Sequence, residues 1–326
     1  MRILVTGGAG YIGSHTVRHL LDLGHHVAIL DNLSTGHREF VPDSVKLYVA
    51  SIENTLELTS ILYEEEIEAV IHFAAKSLVG EDIELPAAYY GTNVVGTISL
   101  LNAMVQANVK RLVFSSSCAV YGMVDSGEIS EDFPRNPISV YGESKLAMEN
   151  IIRAYSDKYG ITYAALRYFN AAGASLDNSV GEWHYPETHL IPRAIISTIS
   201  NDSEKFEFTI FGKDFPTPDG TPIRDYIHVQ DLARAHALAL HIEKSNEINL
   251  GSGNGHSVLE VLSAVEELTE NKIPRVFGPR RKGDPARLIA SNKKASEVLK
   301  WQTEITLNDI VKSAVRWHRS GLYGRV

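Results

Sequence analysis

The sequence predicts an α/β fold: a doubly wound parallel sheet followed by a smaller C-terminal α/β domain. Two observations carry this. Short apolar runs bounded by glycine or polar residues recur at Ile3–Val5, Val27–Leu30, Ala69–Phe73, Arg111–Phe114 and Ala164–Phe169, the pattern of strands buried on both faces. Segments with helical spacing of apolar residues lie between them, and the alternation continues to about residue 170, which implies parallel strands joined by crossover helices.

The first run ends in "TGGAGYIGSH", Thr6–His15. Gly8, Gly10 and Gly13 fit G-x-G-x-x-G, and Gly7, Gly10 and Gly13 fit a wider G-x-x-G-x-x-G. A bare glycine turn is the competing reading. The position after a strand and before a helix favours dinucleotide binding, because glycines let the backbone and the helix N-terminus approach a pyrophosphate. The sheet is therefore expected to be of the Rossmann type. Asp31 follows the second run, 18 positions after Gly13. A carboxylate there accepts hydrogen bonds from ribose hydroxyls and repels a 2′-phosphate, so NAD is expected over NADP. His37 and Arg38 lie close enough in sequence to soften that exclusion.

Further on, Val94, Val95, Ile98, Leu101 and Val105 form a stripe on an expected helix over Asn93–Ala107. "VFSSSCAVYG" places three serines at the end of the fourth run, on the edge where open α/β sheets bind ligands. Cys118 within it reads as a small filler of the interior. "SVYGESKLAME" opens a helix whose Met148, Ile151, Ile152 and Tyr155 share a face. Tyr141 and Lys145 stand at i and i+4 there and so face the same way. A neighbouring ammonium favours the phenolate form of a tyrosine, and an oxidised nicotinamide adds a second positive charge; lowering a phenol from about 10 to about 7 needs about 4 kcal/mol, which two close cations in a partly dry site supply. With Ser117 nearby, such a pair can serve as general base and acid on a hydroxyl. Alone, the pair is also what an ordinary helix surface carries.

After Asn170 the chain becomes loop-rich over Ala171–Pro192 and again over Phe215–Pro222. The expected division is 1–170 for the cofactor and 171–326 for the substrate, with about 223–245 able to rejoin the first unit. A last helix, Leu307–His318, carries Leu307, Ile310, Val311 and Ala314 on one side.

Totals bound the function. The chain has 326 residues, 44% of them apolar, and a formal net charge of −9. That is enough for a full core and offers no concentrated basic surface for nucleic acid. No apolar run approaches the ~20 residues of a membrane span, and Met1-Arg2 leads straight into the first strand without a leader pattern. A single cysteine excludes an internal disulfide and suggests a reducing, cytoplasmic setting. No metal site is expected.

Ser117, Tyr141 and Lys145, with "GGAGYIG", resemble the extended short-chain dehydrogenase/reductase family. Within it, the chain resembles the UDP-galactose 4-epimerases through "GGAGYIGSH", "DNLSTGH", "SSSCAVYG", "YGESKLAME", "LRYFNAAGA", "GEWHYPETHLIP", "DGTPIRDYIHVQDLA", "INLGSGNGHSV" and "RRKGDPARL", which together span nearly the whole chain. The resemblance implies a UDP-sugar substrate and a retained NAD. Tyr141 would take the proton of the sugar 4-hydroxyl, Ser117 would hold the 4-oxygen, and Lys145 would hold the nicotinamide ribose and tune Tyr141. It further implies cofactor contacts from Gly7, Gly10, Tyr11, Ile12, Gly13, Asp31, Asn32, Ser51, Ile52, Phe73, Ala74, Ala75, Asn93, Ser115 and Tyr168. Asn170, Arg224 and Arg281 would meet the diphosphate, Phe211 the uracil, Asp284 the uridine ribose and Leu288 the sugar's C2 side; His189, Leu190 and Tyr226 complete the substrate set. A homodimer formed by the Asn93 and Lys145 helices is also implied. Two departures bear on the hold on NAD: Ser51 stands where the family often has an aspartate, and Ser77, beside Lys76, stands where some members have a lysine. A 4,6-dehydratase would need an Asp-Glu pair where Cys118 and Ala119 stand. Epimerisation of another UDP-sugar, a uronate or a pentose, and a non-catalytic NAD-binding module remain the alternative readings. A gate at Leu288 smaller than tyrosine predicts secondary activity on N-acetylated sugars.

Overall fold

The computed structural model describes residues 1–78, 81–124, 127–199, 207–281 and 283–322. Its strands are β1 (Arg2–Thr6), β2 (His26–Asp31), β3 (Lys46–Val49), β4 (Ala69–His72), β5 (Arg111–Ser117), β6 (Glu128–Ile129), β7 (Thr162–Tyr168), β8 (Asn170–Ala172), β9 (Phe208–Phe211), β10 (Ile223–His228), β11 (Asn246–Leu250), β12 (Gly255–Ser257), β13 (Arg275–Gly278) and β14 (Arg287–Ala290). Its helices are α1 (Tyr11–Asp22), α2 (Thr55–Glu64), α3 (Glu81–Glu84), α4 (Pro86–Tyr89), α5 (Gly96–Gln106), α6 (Val140–Tyr159), α7 (Leu190–Ile199), α8 (Val229–Ala239), α9 (Val258–Thr269), α10 (Lys293–Leu299) and α11 (Leu307–Arg319).

Seven strands form the expected parallel sheet in the order β3-β2-β1-β4-β5-β7-β11. The order reverses between β1 and β4, and the crevice at such a switch point is where open α/β sheets bind ligands. Ile3, Leu4 and Val5 are fully buried, as continuous apolar strands must be when helices cover both faces. One face packs Val17 and Leu20 of α1 and Leu232 and Ala235 of α8 against the sheet; the other packs α2, α5 and α6 through Leu58, Leu100, Met104, Met148 and Ile152. A second, five-stranded sheet follows the order β12-β10-β14-β6, with β8 also paired to β10. β9 and β13 form a parallel pair, and α7, α9 and α11 share an apolar core with it through Ile195, Val261, Val311 and Ile210.

The helix after residue 90 differs from expectation. A wide i→i+5 turn over Tyr90–Val95 runs into α5. Of the five stripe residues only Leu101 is fully buried, and Val95 is 52% exposed. The sheet-facing side is Asn93, Gly96, Thr97, Leu100 and Met104. The reason is steric and polar. A Cβ at Gly96 would lie 2.5 Å from Ile52 Cγ2, and Thr97 Oγ1 hydrogen-bonds His72 Nε2 at 3.2 Å. Small and hydrogen-bonded polar residues carry that face, so apolar spacing does not reveal it.

Candidate active site

The site grows from the C-terminal ends of β5 and β7, paired in register with Ser117 beside Tyr168. After Ser117 the chain turns through Cys118–Tyr121, and Ser117 Oγ accepts the amide N–H of Ala119. The first turn of α6 sits on this turn. Ser139 caps α6, its Oγ accepting the Gly142 N–H at 3.1 Å. A side chain at position 142 would not fit, because its Cβ would lie 2.6 Å from Ala119 O. This contact delivers Tyr141 to Ser117, and their side chains are hydrogen-bonded.

Lys145, one turn on, is 2% exposed. Its Nζ donates to the Ser115 carbonyl at 2.8 Å and lies 5.9 Å from the centre of the Tyr141 ring. The structure therefore brings Ser117, Tyr141 and Lys145 together, and burial acts on both titratable groups. Burial pushes the Tyr141 phenol up to about 12, with the Ser117 hydrogen bond opposing it. Burial likewise lowers Lys145 to about 7, partly offset by Glu149. The ammonium lies over the ring and is bonded to a carbonyl, so it does not offset the cost of stripping water from a phenolate. Cys118 is pushed to about 12, again by burial. This fits its reading as a filler.

Residues not singled out in the sequence hold α6 in place. Glu149, fully buried, accepts from Ser116 Oγ at 2.6 Å and from Arg167 Nε and NH2 at 2.8 and 2.7 Å. Arg167 also donates to Tyr121 Oη at 2.8 Å, and Tyr121 donates to Asn249 Oδ1 at 2.7 Å. The available signal was a glutamate among Met148 and Ile152 and an arginine inside the apolar run Ala164–Phe169.

On the cofactor side, Gly10 starts α1 without any side-chain cap, leaving the helix N-terminus open towards an anion. A Cβ at Gly13 would lie 2.1 Å from Gly7 O, so only glycine permits this close helix–strand approach. Asp31 receives the Ala9 and Leu33 amides at 3.0 and 2.9 Å, which fixes its carboxylate beside the glycine-rich turn. These features fit a dinucleotide. Tyr11 and Ile12 form the first turn of α1, while Phe73, Ala74 and Ala75 follow β4 across the switch point. Asn32 Oδ1 accepts the Ser34 N–H, and Ser51, exposed, accepts the Glu53 N–H at 3.3 Å. Ile52 is buried under Gly96. Asn93 is saturated by the chain itself: its amide bonds the Lys76 N–H, the Lys76 carbonyl and Ser144 Oγ. Ser115 Oγ and Tyr168 Oη share a short hydrogen bond.

The expected substrate residues continue from the same edge. Asn170 pairs in register with Tyr226 on β10, and Arg224 on β10 with Leu288 on β14. A run of neighbouring strand ends thus leads from Ser117 and Tyr168 to Leu288. Asn170 Nδ2 donates to Asp225 O at 2.9 Å, and Tyr226 is buried. Arg224 and Asp284, both expected to meet the ligand, form a short ion pair with each other. The Arg281 guanidinium stacks 4.1 Å over the Phe211 ring. Leu288 packs beside Val120, Tyr121 and Phe169. Leu190 begins α7, but the His189 imidazole turns to Glu182. There it joins His184 and Glu187, a grouping the sequence reading did not single out.

Residues 3–251 match the NAD dependent epimerase/dehydratase family. The chain belongs to that family. It is 52% identical over 326 residues to the UDP-glucose 4-epimerase of Lactobacillus helveticus, covering 98% of each chain. The UDP-glucose 4-epimerase of Brucella ovis, solved in complex with NAD, superposes with a TM-score of 0.92 at 43% identity, covering 96% of this chain and 97% of that one. The UDP-glucose 4-epimerase of Bifidobacterium longum, in complex with NAD+ and UDP, gives 0.91 at 36% identity over 99% of both chains. Among the described residues no helix is long and apolar enough to cross a membrane.

Proposed function

We propose that Tyr141, Ser117 and Lys145 carry out the reversible inversion at C4 that interconverts UDP-galactose and UDP-glucose. The chain is an NAD-dependent UDP-sugar epimerase; the assignment of roles to its residues is our reading. The observation behind it is the meeting of Tyr141, Ser117 and Lys145 where β5 and β7 end, beside the strand ends that hold Asn170, Arg224 and Leu288.

Bound NAD supplies a reversible hydride acceptor and a positive charge at its nicotinamide ring. Tyr141, whose phenolate form the nicotinamide's positive charge would favour against the burial that raises it, removes the proton of the 4-hydroxyl as the C4–H bond is broken, and Ser117 donates to the 4-oxygen. The resulting 4-keto sugar turns over about its link to UDP. Tyr141 then returns the proton while C4 regains hydride on its other face, so no net oxidation occurs. Lys145, pulled down to about 7, switches charge near neutrality and shares the pocket with the phenol. Arg224, Arg281 and Asn170 bind the diphosphate, arginine's fork suiting phosphate oxygens. Phe211 stacks on the uracil, Asp284 takes the uridine ribose, and Leu288 faces the C2 substituent.

On this reading residues 1–170 hold the cofactor and 171–326 the UDP-sugar, with 223–245 returning to the first unit. The outer sides of α5 and α6, with Val95 exposed and Val94, Ile98, Ile151 and Tyr155 half-buried, form a homodimer contact. The lone cysteine fits a cytoplasmic protein. The test is direct: denature purified protein and identify the released nucleotide, then incubate native protein with UDP-galactose. NAD in the supernatant and UDP-glucose in the reaction support the reading. A protein that releases NAD yet makes no UDP-glucose overturns it in favour of another UDP-sugar or a binding role.

A further inference from the structure

The loop before α7 carries Glu182, His184, Glu187 and His189, each turning a ligand atom inward so that all lie within 4.8 Å of one another. Two arrangements can hold such a group: a hydrogen-bonded ion-pair cluster or a metal ion. They predict different spacings. Charge-assisted N–H···O bonds run about 2.7–2.9 Å. A tetrahedral ion with bonds of about 2.0–2.2 Å spaces its ligand atoms about 3.4 Å apart.

His184 Nδ1 lies 3.5 Å from Glu182 Oε1 and 3.6 Å from Glu187 Oε2. Those separations are too long for hydrogen bonds and close to a coordination edge. Only His189 and Glu182 touch more closely, and binding an ion requires them to move apart. The two imidazoles stand nearly perpendicular, at 83°, as rings sharing one central atom can.

A second observation points the same way. The Glu187 side chain is 6% exposed. Its Oε1 takes the Thr188 and His189 amides at 2.8 and 2.9 Å. Its Oε2, buried, has no hydrogen-bond partner, and neither has the buried His184 Nδ1. One oxygen is anchored to backbone and the other is aimed at the centre, the way an outer shell orients a ligating carboxylate. Glu182 is fixed from behind, its carbonyl taking the Trp317 indole N–H at 3.0 Å.

We propose that Glu182, His184, Glu187 and His189 bind one zinc-class divalent ion through two imidazole nitrogens and two carboxylate oxygens. Imidazole with carboxylate suits zinc and its first-row neighbours; calcium and magnesium prefer all-oxygen shells. Two carboxylates balance the ion's charge. Four protein ligands complete a tetrahedron, so the ion is structural and activates no water. It fastens the loop leading into α7 to the cofactor side, since the His184 ring stands 6.3 Å from the ring of Tyr11, in the first turn of α1.

The test is elemental analysis of full-length protein purified without chelators, then stripped with dipicolinate and reloaded with zinc or cobalt(II) alone. Expected are about one ion per chain, intense visible bands of tetrahedral cobalt, and a thermal midpoint that falls on stripping and recovers on reloading. His184→Asn and the near-isosteric Glu187→Gln should each bind at least tenfold less metal, while the recovered NAD shows that the variants are folded. Wild type that binds no more zinc than Glu187→Gln, or cobalt bands that survive in both variants, overturns the proposal.

Discussion

Two arginine–carboxylate pairs flank the candidate catalytic edge, and they sit in different media. Glu149 and Arg167, beneath it, have side chains 0% and 1% exposed. Every charged atom there has a protein partner: Ser116 on the carboxylate, Tyr121 on the guanidinium. Arg224 and Asp284, on the substrate side, are 14% and 23% exposed and hold chiefly each other. A buried pair tolerates no loss of partner, because the remaining charge cannot reach water. A partly wetted pair can exchange partners, so Arg224 can turn to a phosphate and Asp284 to a ribose hydroxyl. The first pair is suited to setting where α6 lies, and hence where Tyr141 and Lys145 point. The second is suited to binding.

The sharpest way to break this contrast is to remove one charge from beneath the site. Glu149→Ala should cost about 3–5 kcal/mol of stability in urea unfolding. The joint change Glu149→Leu with Arg167→Met should recover most of it, because neither partner is then left charged and alone. A Glu149→Ala protein as stable as Arg224→Ala would erase the distinction.

Tyr141→Phe comes next. It should lower kcat on the order of 10²–10⁴-fold with UDP-sugar binding nearly intact. Turnover within tenfold of wild type would move the proton to another group.

Lys145 gives a pH signature. The folded protein releases this proton at about 7, whereas the unfolded chain keeps it to the ordinary value of 10.5. Between those values the unfolded chain binds more protons, so Lys145 makes stability rise with pH across that window. Below about 7 both states carry the charge, and the full burial penalty is present. Unfolding free energies of wild type and Lys145→Met, measured from pH 6 to 10, should diverge with wild type gaining; parallel curves would show that Glu149 holds the ammonium charged.

Arg224→Ala should change stability by no more than about 1 kcal/mol while raising KM for UDP-galactose. A large loss of stability would make the Arg224–Asp284 pair structural after all. The smallest effect expected is at Leu288. Leu288→Tyr should leave UDP-galactose turnover little changed and remove a secondary activity on UDP-N-acetylglucosamine, assayed side by side in both proteins.

The central strands β1, β2, β4, β5 and β7 were legible because each is apolar on both faces, a local property; the edge strands β3 and β11 were not. The glycine-rich turn, Asp31 and the Tyr141–Lys145 spacing were legible for the same reason, since their geometry is set within a strand–turn–helix or a single helical turn. The start of the buried face of α5 was not: Gly96 and Thr97 there are buried against Ile52 and His72 from distant segments. Glu149 with Arg167, Arg224 with Asp284, and the Glu182–His189 cluster are likewise contacts whose meaning comes from what surrounds them.

What the sequence determined by itself is the central strands of the sheet, the glycine-rich turn before α1 and which groups stand at the candidate catalytic edge, all of which follow from backbone period and side-chain type. The tertiary structure alone decided how far those groups are stripped of water. The Tyr141–Lys145 spacing places an ammonium near a phenol, while burial in the folded chain acts the other way, holding Tyr141 up at about 12 and Lys145 down at about 7. Spacing along a helix fixes only which groups are near each other. Desolvation, which here outweighs that nearness, depends on every segment that closes over them.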